Sequence, residues 1–282
     1  MINALCAQLK LQWQLLCLAV MFFTRVPVAK SIPYSPERMN KATRYFSLVG
    51  LLLGLLICIF YLCLRYYFSP MVTIVLTMAA SSLLTGALHE DGLADMVDGI
   101  GGAVSKEQRL VLMKDSRIGT FGSVSLVFIL LLKFSVLVEL ASLSLFFPSV
   151  LLGYALSRAI AASLIINTPY AGENNESKSR ALVLAQSSGD LAILLLIGFF
   201  PLLLLISDNA FFSLLIKLVI ILGFFRTLFR RWLLQRINGF TGDCLGAAQQ
   251  LSEVLIYLII IAHFAKVDQH SLNLVTVLGT SL

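Results

Sequence analysis

Charged residues are what this sequence has least of: Asp, Glu, Lys and Arg make up 13% of its 282 residues, 59% are hydrophobic, and mean hydropathy is +0.91. Ordinary soluble domains carry about a quarter charged residues, so that class is excluded and the chain reads as a polytopic membrane protein. Histidine is nearly absent: His89, His263 and His270 stand far apart, which gives little support to a zinc or haem site. The five cysteines, Cys6, Cys17, Cys58, Cys63 and Cys244, are scattered mostly through apolar segments with no C-x-x-C pair, and read as buried thiols. Neither a G-x-x-x-x-G-K-[ST] loop nor a G-x-S-x-G elbow occurs, which speaks against a P-loop NTPase and a serine hydrolase.

What is present is a series of long apolar runs over the whole length, so the expected fold is all-α: one membrane-embedded helical domain, residues 1–282, with no separate soluble module. About 20 apolar residues cross a bilayer core and about 17 suffice. On that basis spans are expected at 46–64, 70–88, 122–138, 149–166, 190–206, 211–229 and 251–267. Segment 9–24 either spans or lies in the interface with Trp13 at the headgroups. Its run Leu11 to Phe23 resembles a signal h-region, but Thr24-Arg25-Val26-Pro27 follows instead of a cleavage site, so retention is expected.

The 21 basic against 15 acidic residues need no nucleic-acid partner, because Lys and Arg gather in cytoplasmic loops of membrane proteins. Loops 25–45, 89–121, 167–189 and 230–250 hold most of them, including Lys30, Lys178 and Arg180, whereas 207–210 has none. Counting spans from loop to loop places all four on one side. The polar chemistry is therefore expected on the cytoplasmic side of the membrane.

Four acidic residues fall within nine positions in His89-Glu90-Asp91-Gly92-Leu93-Ala94-Asp95-Met96-Val97-Asp98-Gly99, directly after an apolar run. On a helix Asp91, Asp95 and Asp98 stand at i, i+4 and i+7, on one face, with Glu90 turned roughly 100° away. Like charges so spaced destabilise a helix by about 0.2 to 0.5 kcal/mol per pair. Gly99, Gly101 and Gly102 read as its end, which sets Asp95 and Asp98 against the helix dipole. A bound cation answers these problems, and carboxylates select a hard one, magnesium or manganese.

Ten residues on, Arg109 to Gly122 mixes Lys114, Asp115, Ser116 and Arg117 with Gly119 and Gly122. The combination suits phosphate, with Lys as a point charge, Arg as a fork, and Gly where backbone N–H groups approach closely. An ordinary basic membrane loop has the same composition. A third polar stretch, Arg236 to Ala247, holds Thr241 and Asp243; Asp243 reads as a metal ligand, a general base, or simply the cap of the last helix. Inside or at the ends of the spans, Lys133, Glu139, Arg158, Lys217 and Arg226 are costly and mark candidate sites unless they snorkel. Snorkelling suits Lys217 and Arg226; Arg158, mid-span beside Ser157, reads as facing a cavity or an anionic substrate. Together the three stretches suggest metal-assisted phosphoryl transfer, with Asp91, Asp95 and Asp98 holding magnesium on a diphosphate and Lys114 and Arg117 clamping its oxygens.

The stretches Glu90 to Gly99, Met113 to Gly122 and Gly239 to Ala247 resemble those of the cobalamin synthase, or adenosylcobinamide-GDP ribazoletransferase, family. Fainter echoes are Phe22 to Val28, which includes Arg25, and Tyr45 to Gly50. The resemblance implies an integral membrane enzyme dependent on a divalent cation, in which α-ribazole or its 5'-phosphate attacks adenosylcobinamide-GDP and releases GMP. It makes Glu90, Asp91, Asp95 and Asp98 metal and catalytic residues and brings Lys114, Asp115 and Arg117 to the diphosphate. Arg25, Ser116, Arg158, Thr241 and Asp243 are further candidates for substrate contact. Asn238 stands where Gly is expected, and Ser47 where Pro is. Lipids are expected partners, and self-association or assembly with other late cobamide-pathway enzymes is a further expectation.

Two rivals use similar residues. A CDP-alcohol phosphotransferase needs D-G-x-x-A-R, but Asp91-Gly92 is followed by Ala94-Asp95 with no Arg. A cation transporter places such charges near the midplane, commonly within internal repeats, and no repeat is visible here.

Overall fold

The computed structural model describes residues 2–28, 32–172, 186–205 and 210–279, with side chains for 5–28, 32–172, 186–205 and 211–264. Lys30, Lys178, Arg180, the 207–209 turn and the side chain of His270 lie outside them. Among the described residues there is no strand, only an isolated bridge between Tyr170 and Phe240. The helices are α1 (Ile2–Phe23), α2 (Pro36–Ala42), α3 (Phe46–Leu64), α4 (Pro70–Thr85), α5 (Leu88–Gly102), α6 (Lys106–Leu112), α7 (Thr120–Ser142), α8 (Phe146–Ser163), α9 (Ser188–Phe199), α10 (Ala210–Ile237) and α11 (Gly242–Gly279).

Among the described residues seven segments are long and apolar enough to cross a membrane, and this is a multi-pass helical bundle. Segment 9–24 belongs to one of them: α1 is continuous, buries Leu15, Leu18, Ala19 and Phe23, and leaves Trp13 exposed. The expected span 70–88 is shorter. Pro70 opens α4, where its missing N–H costs nothing. At the other end Gly86 (φ 66°) and Ala87 (φ 56°) turn left-handed, and the chain bends by 84° into α5. The acidic stretch is thus a separate helix at a sharp angle to α4, which is too short to count as a span by itself and passes only together with α5 as a bent pair.

The central helix is α8, 89% of whose apolar window is buried between α3 and α11. Small residues make this possible, as in other membrane helix pairs. A Cβ on Gly50 would lie 2.2 Å from the Tyr154 carbonyl oxygen, and one on Gly153 would lie 2.3 Å from the Tyr257 ring.

Several of the charged residues inside this bundle are paired. Lys133 of α7 does not snorkel but forms a 2.6 Å ion pair with Glu253 of α11, both side chains at most 7% exposed. Tyr257 Oη donates to Glu253 Oε1, and Gln249 Nε2 donates to Glu253 Oε2 and to Ser157 Oγ. The two snorkelling assignments also give way to partners. Lys217 Nζ meets His263 Nδ1 at 2.9 Å, and Arg226 donates to Ser163 and Asn167. In an apolar medium an internal acceptor outcompetes a long reach to the interface.

Candidate functional site

Phe22 and Phe23 at the end of α1, Phe46 at the start of α3, the inner end of α8, α5, α6 and the start of α11 enclose a cavity of about 530 Å³. Its outer part carries Asp91, Glu107, Lys114 and Asp243. Its wall is apolar, with Phe22 and Phe46 stacked at 5.5 Å, and Arg158, His89 and Gln249 line it farther into the bundle.

The carboxylates are positioned by glycines. Helix α5 runs unbroken through Gly92, and a Cβ there would lie 3.0 Å from Asp243 Cα. Gly246 approaches His89 and Gly92 as closely from the other side, with its own virtual Cβ at 3.3 and 3.4 Å. Two helices therefore meet almost backbone to backbone, which brings Asp243 to the acidic face. Burial and the charges of Asp91, Asp243 and Asp98 push the Asp95 carboxyl up to about 7. These side chains repel one another in the absence of a counter-charge.

The four residues expected to share a metal do not all converge. Among the described residues no three His, Cys, Asp or Glu side chains stand ready to hold an ion on their own. Glu90 turns back toward the bundle, where its Oε1 accepts from Ser82 Oγ at 3.0 Å. Both oxygens of Asp98 are engaged by the N-terminus of α7, accepting from Gly119 N at 2.7 Å and Gly122 N at 2.8 Å. The helix dipole and otherwise unpaired N–H groups explain that choice. Asp98→Ala should therefore cost about 0.5 to 2 kcal/mol of stability, as loss of a helix cap does, seen as a lower unfolding temperature in detergent. Asp91 and Asp243 remain at the cavity, with Asp95 beside them on α5 but not among the residues that line it.

Of the expected phosphate contacts, Lys114, Arg158, Thr241 and Asp243 line the cavity. Asp115, Ser116 and Arg117 do not. Arg117, 87% exposed, forms a two-pronged pair with Asp115, and that guanidinium holds the Asp115 carboxyl at about 2. Ser116 is exposed beside them. Arg25 packs over the left-handed corner at Gly86, where a Cβ would lie 2.3 Å from its Nε, and its backbone N–H donates to Leu84 O. It joins α1 to the α4–α5 bend instead of lining the cavity. Thr241 Oγ1 donates to Asp243 Oδ2 at 3.2 Å and accepts from Cys244 N at 3.4 Å, so the cap of α11 is Thr241 and the capping reading of Asp243, which lies inside the first turn, is corrected.

Sequence reasoning missed His89, Glu107, Tyr170, Gln249 and the phenylalanine wall. Phe22, Phe23 and Phe46 sat in the two fainter echoes, but nothing local shows that α1 and α3 bring them together. Asn238 is explained, since it adopts φ 56°, a conformation that Asn tolerates better than most residues other than Gly. Ser47 lies in the first turn of α3, where a proline would also fit.

A multi-pass bundle with carboxylates and a lysine at the opening of an aromatic-lined cavity defines a membrane protein with a candidate ligand site. The cobalamin-5-phosphate synthase family model matches residues 15–261, and the chain belongs to that family. It is 53% identical over 256 residues to the adenosylcobinamide-GDP ribazoletransferase of Vibrio cholerae serotype O1, covering 91% of this chain and 96% of the relative. Proteins of the same name from Vibrio vulnificus (55% over 251 residues) and Shewanella amazonensis (43% over 254) each cover 89% of this chain and 96% of their own length. No solved structure matches the chain. The phospholipid-enzyme and transporter readings are not favoured.

Proposed function

We propose that this chain transfers α-ribazole, or its 5'-phosphate, onto adenosylcobinamide-GDP, releasing GMP and forming adenosylcobalamin or its 5'-phosphate, at the cytoplasmic face of a bacterial inner membrane. The observation that carries this reading is that Asp91, Asp243 and Lys114 line a nucleotide-sized cavity, with Asp95 close enough on α5 to feel the charges of both carboxylates. A ribose hydroxyl of α-ribazole attacks the phosphorus borne by the cobinamide. The bond from that phosphorus to the bridging oxygen breaks, GMP leaves with the oxygen, and the hydroxyl proton passes to the solvent-accessible carboxylate cluster. Lys114, which lines the cavity, neutralises phosphate oxygens.

The donor set fits magnesium, which is usually held by one or two carboxylates together with substrate phosphates and water, not by a complete protein cage. Asp91, Asp95 and Asp243 would hold it, and when bound it supplies positive charge for the diphosphate. Purified protein with magnesium, adenosylcobinamide-GDP and α-ribazole phosphate is expected to release GMP in step with corrinoid product. Folded protein that releases none would overturn the reading. Gel filtration of detergent-solubilised protein tests the accompanying expectation of self-association.

A further inference from the structure

A second cavity lies on the other side of α5 from its carboxylates, an open groove of about 630 Å³ that plays no part in the transfer. Leu93, Met96 and Val97 line it from α5, at i, i+3 and i+4, and helical spacing sets them opposite Asp91, Asp95 and Asp98. The rest of the lining comes from α7 between Ser125 and Leu132, from α10 between Phe225 and Trp232, and from Leu251 of α11. It holds no ionisable side chain, and its one hydroxyl, Ser125 Oγ, donates to Gly122 O at 2.8 Å. Phe128, part of this lining, is 69% exposed on a membrane-spanning helix, so the groove opens to the surrounding hydrocarbon.

The groove keeps to one depth. On α7 its residues lie five to twelve positions from the start at Thr120, and on α10 five to twelve from the end at Ile237. At 1.5 Å per residue, both stretches cover roughly 8 to 18 Å of helix. The hydrocarbon of one leaflet is about 15 Å thick, so the groove belongs to a single leaflet. Both helix ends adjoin α6: residues 113–119 join it to α7, and its Arg109 Nη1 donates to Arg236 O of α10 at 2.8 Å.

Positive charge stands at that end. The stripe Phe225, Phe229 and Trp232 continues at helical spacing to Arg236, whose Cα–Cβ bond tilts back toward the N-terminus of α10 and so toward the groove. Among the described residues neither Arg236 nor Arg109 has an ion-pair partner. Trp232, the last groove residue before Arg236, is of the kind that favours headgroup level.

We infer that the groove holds an acyl chain of an anionic glycerophospholipid whose phosphate is bound by Arg236 and Arg109. The chain covers the apolar back of the helix that carries Asp91 and Asp95, and the two guanidiniums hold headgroup oxygens by charge-assisted hydrogen bonds. Arg109 presents Nη2 for this, since its Nε and Nη1 are bound to Ala103 O and Arg236 O. A second copy of the chain fits less well. A two-fold contact through this face places Arg236 and Arg231 of both copies at one end, and the groove has no carboxylate to pair with them.

Native mass spectrometry of the full chain in detergent, with equal amounts of phosphatidylglycerol and phosphatidylcholine of identical acyl chains, tests this. One phosphatidylglycerol per protein is expected to be retained in preference. Arg236→Gln is expected to lower that preference about fivefold, the scale of one basic residue beside an anionic lipid. Arg231→Gln makes the same charge change on another face of α10 and is expected to leave it intact. Ser125→Phe fills the groove and is expected to lose the bound lipid. Equal retention of the two lipids overturns the inference, as does equal loss of preference in the two arginine variants, which marks diffuse charge. Undiminished retention in a folded Ser125→Phe protein also overturns it, and a dimer that retains no lipid does so in favour of a second copy. Should Ser125→Phe not fold, the arginine variants decide. Retention is read without substrates, so failure here leaves the transferase reading standing, and the reverse holds.

Discussion

The Asp95→Asn protein is expected to insert and fold normally but to release GMP at least ~100-fold more slowly, the scale on which removal of one preorganised electrostatic group slows a reaction. Asp95 stands on α5 within reach of the charges of Asp91, Asp98 and Asp243. Asparagine keeps its shape and removes its charge, so the repulsion in the empty site falls and stability should hold or rise. Magnesium affinity, read by calorimetry, should drop together with turnover. Wild-type turnover in that variant would remove Asp95 from the site. The matching substitution Asp98→Asn addresses a different role, since that residue caps α7.

The second large effect concerns folding. Glu253→Leu strands Lys133 in the middle of the bundle without its 2.6 Å partner, and breaking a buried pair on one side costs about 3 to 5 kcal/mol. The single variant should unfold at a much lower temperature in detergent. The double variant Lys133→Leu/Glu253→Leu removes both charges and should recover most of that loss, because an apolar replacement of a buried pair is often neutral or stabilising. The sign is opposite to that expected of independent contacts. If the double variant proves less stable than the single one, the pair is not the unit described here.

The expected and observed structures agree where the physics is local. Spans come from apolar length alone, and 46–64 matches α3 to the residue because the run is bounded by Tyr45 and Arg65. The departure at α4 also has a local cause, since Gly86 permits a left-handed corner. Helical spacing correctly placed Asp91, Asp95 and Asp98 on one helix, but it said nothing of what that helix faces. Asp98 is claimed by α7, Glu90 by Ser82, and Asp243 arrives from more than 140 residues away in their place.

Composition and the order of its polar stretches were enough to establish that this chain is a helical membrane protein and which family the stretches after α4, α6 and α10 resemble. Those properties depend on apolar length, charge and residues adjacent in sequence. Only the tertiary structure decided which charges share a site. Contacts between Gly92 and Asp243, Lys133 and Glu253, or Phe22 and Phe46 join separate helices. Such pairings follow from the packing of small residues across the bundle, and no periodicity within a single helix encodes them.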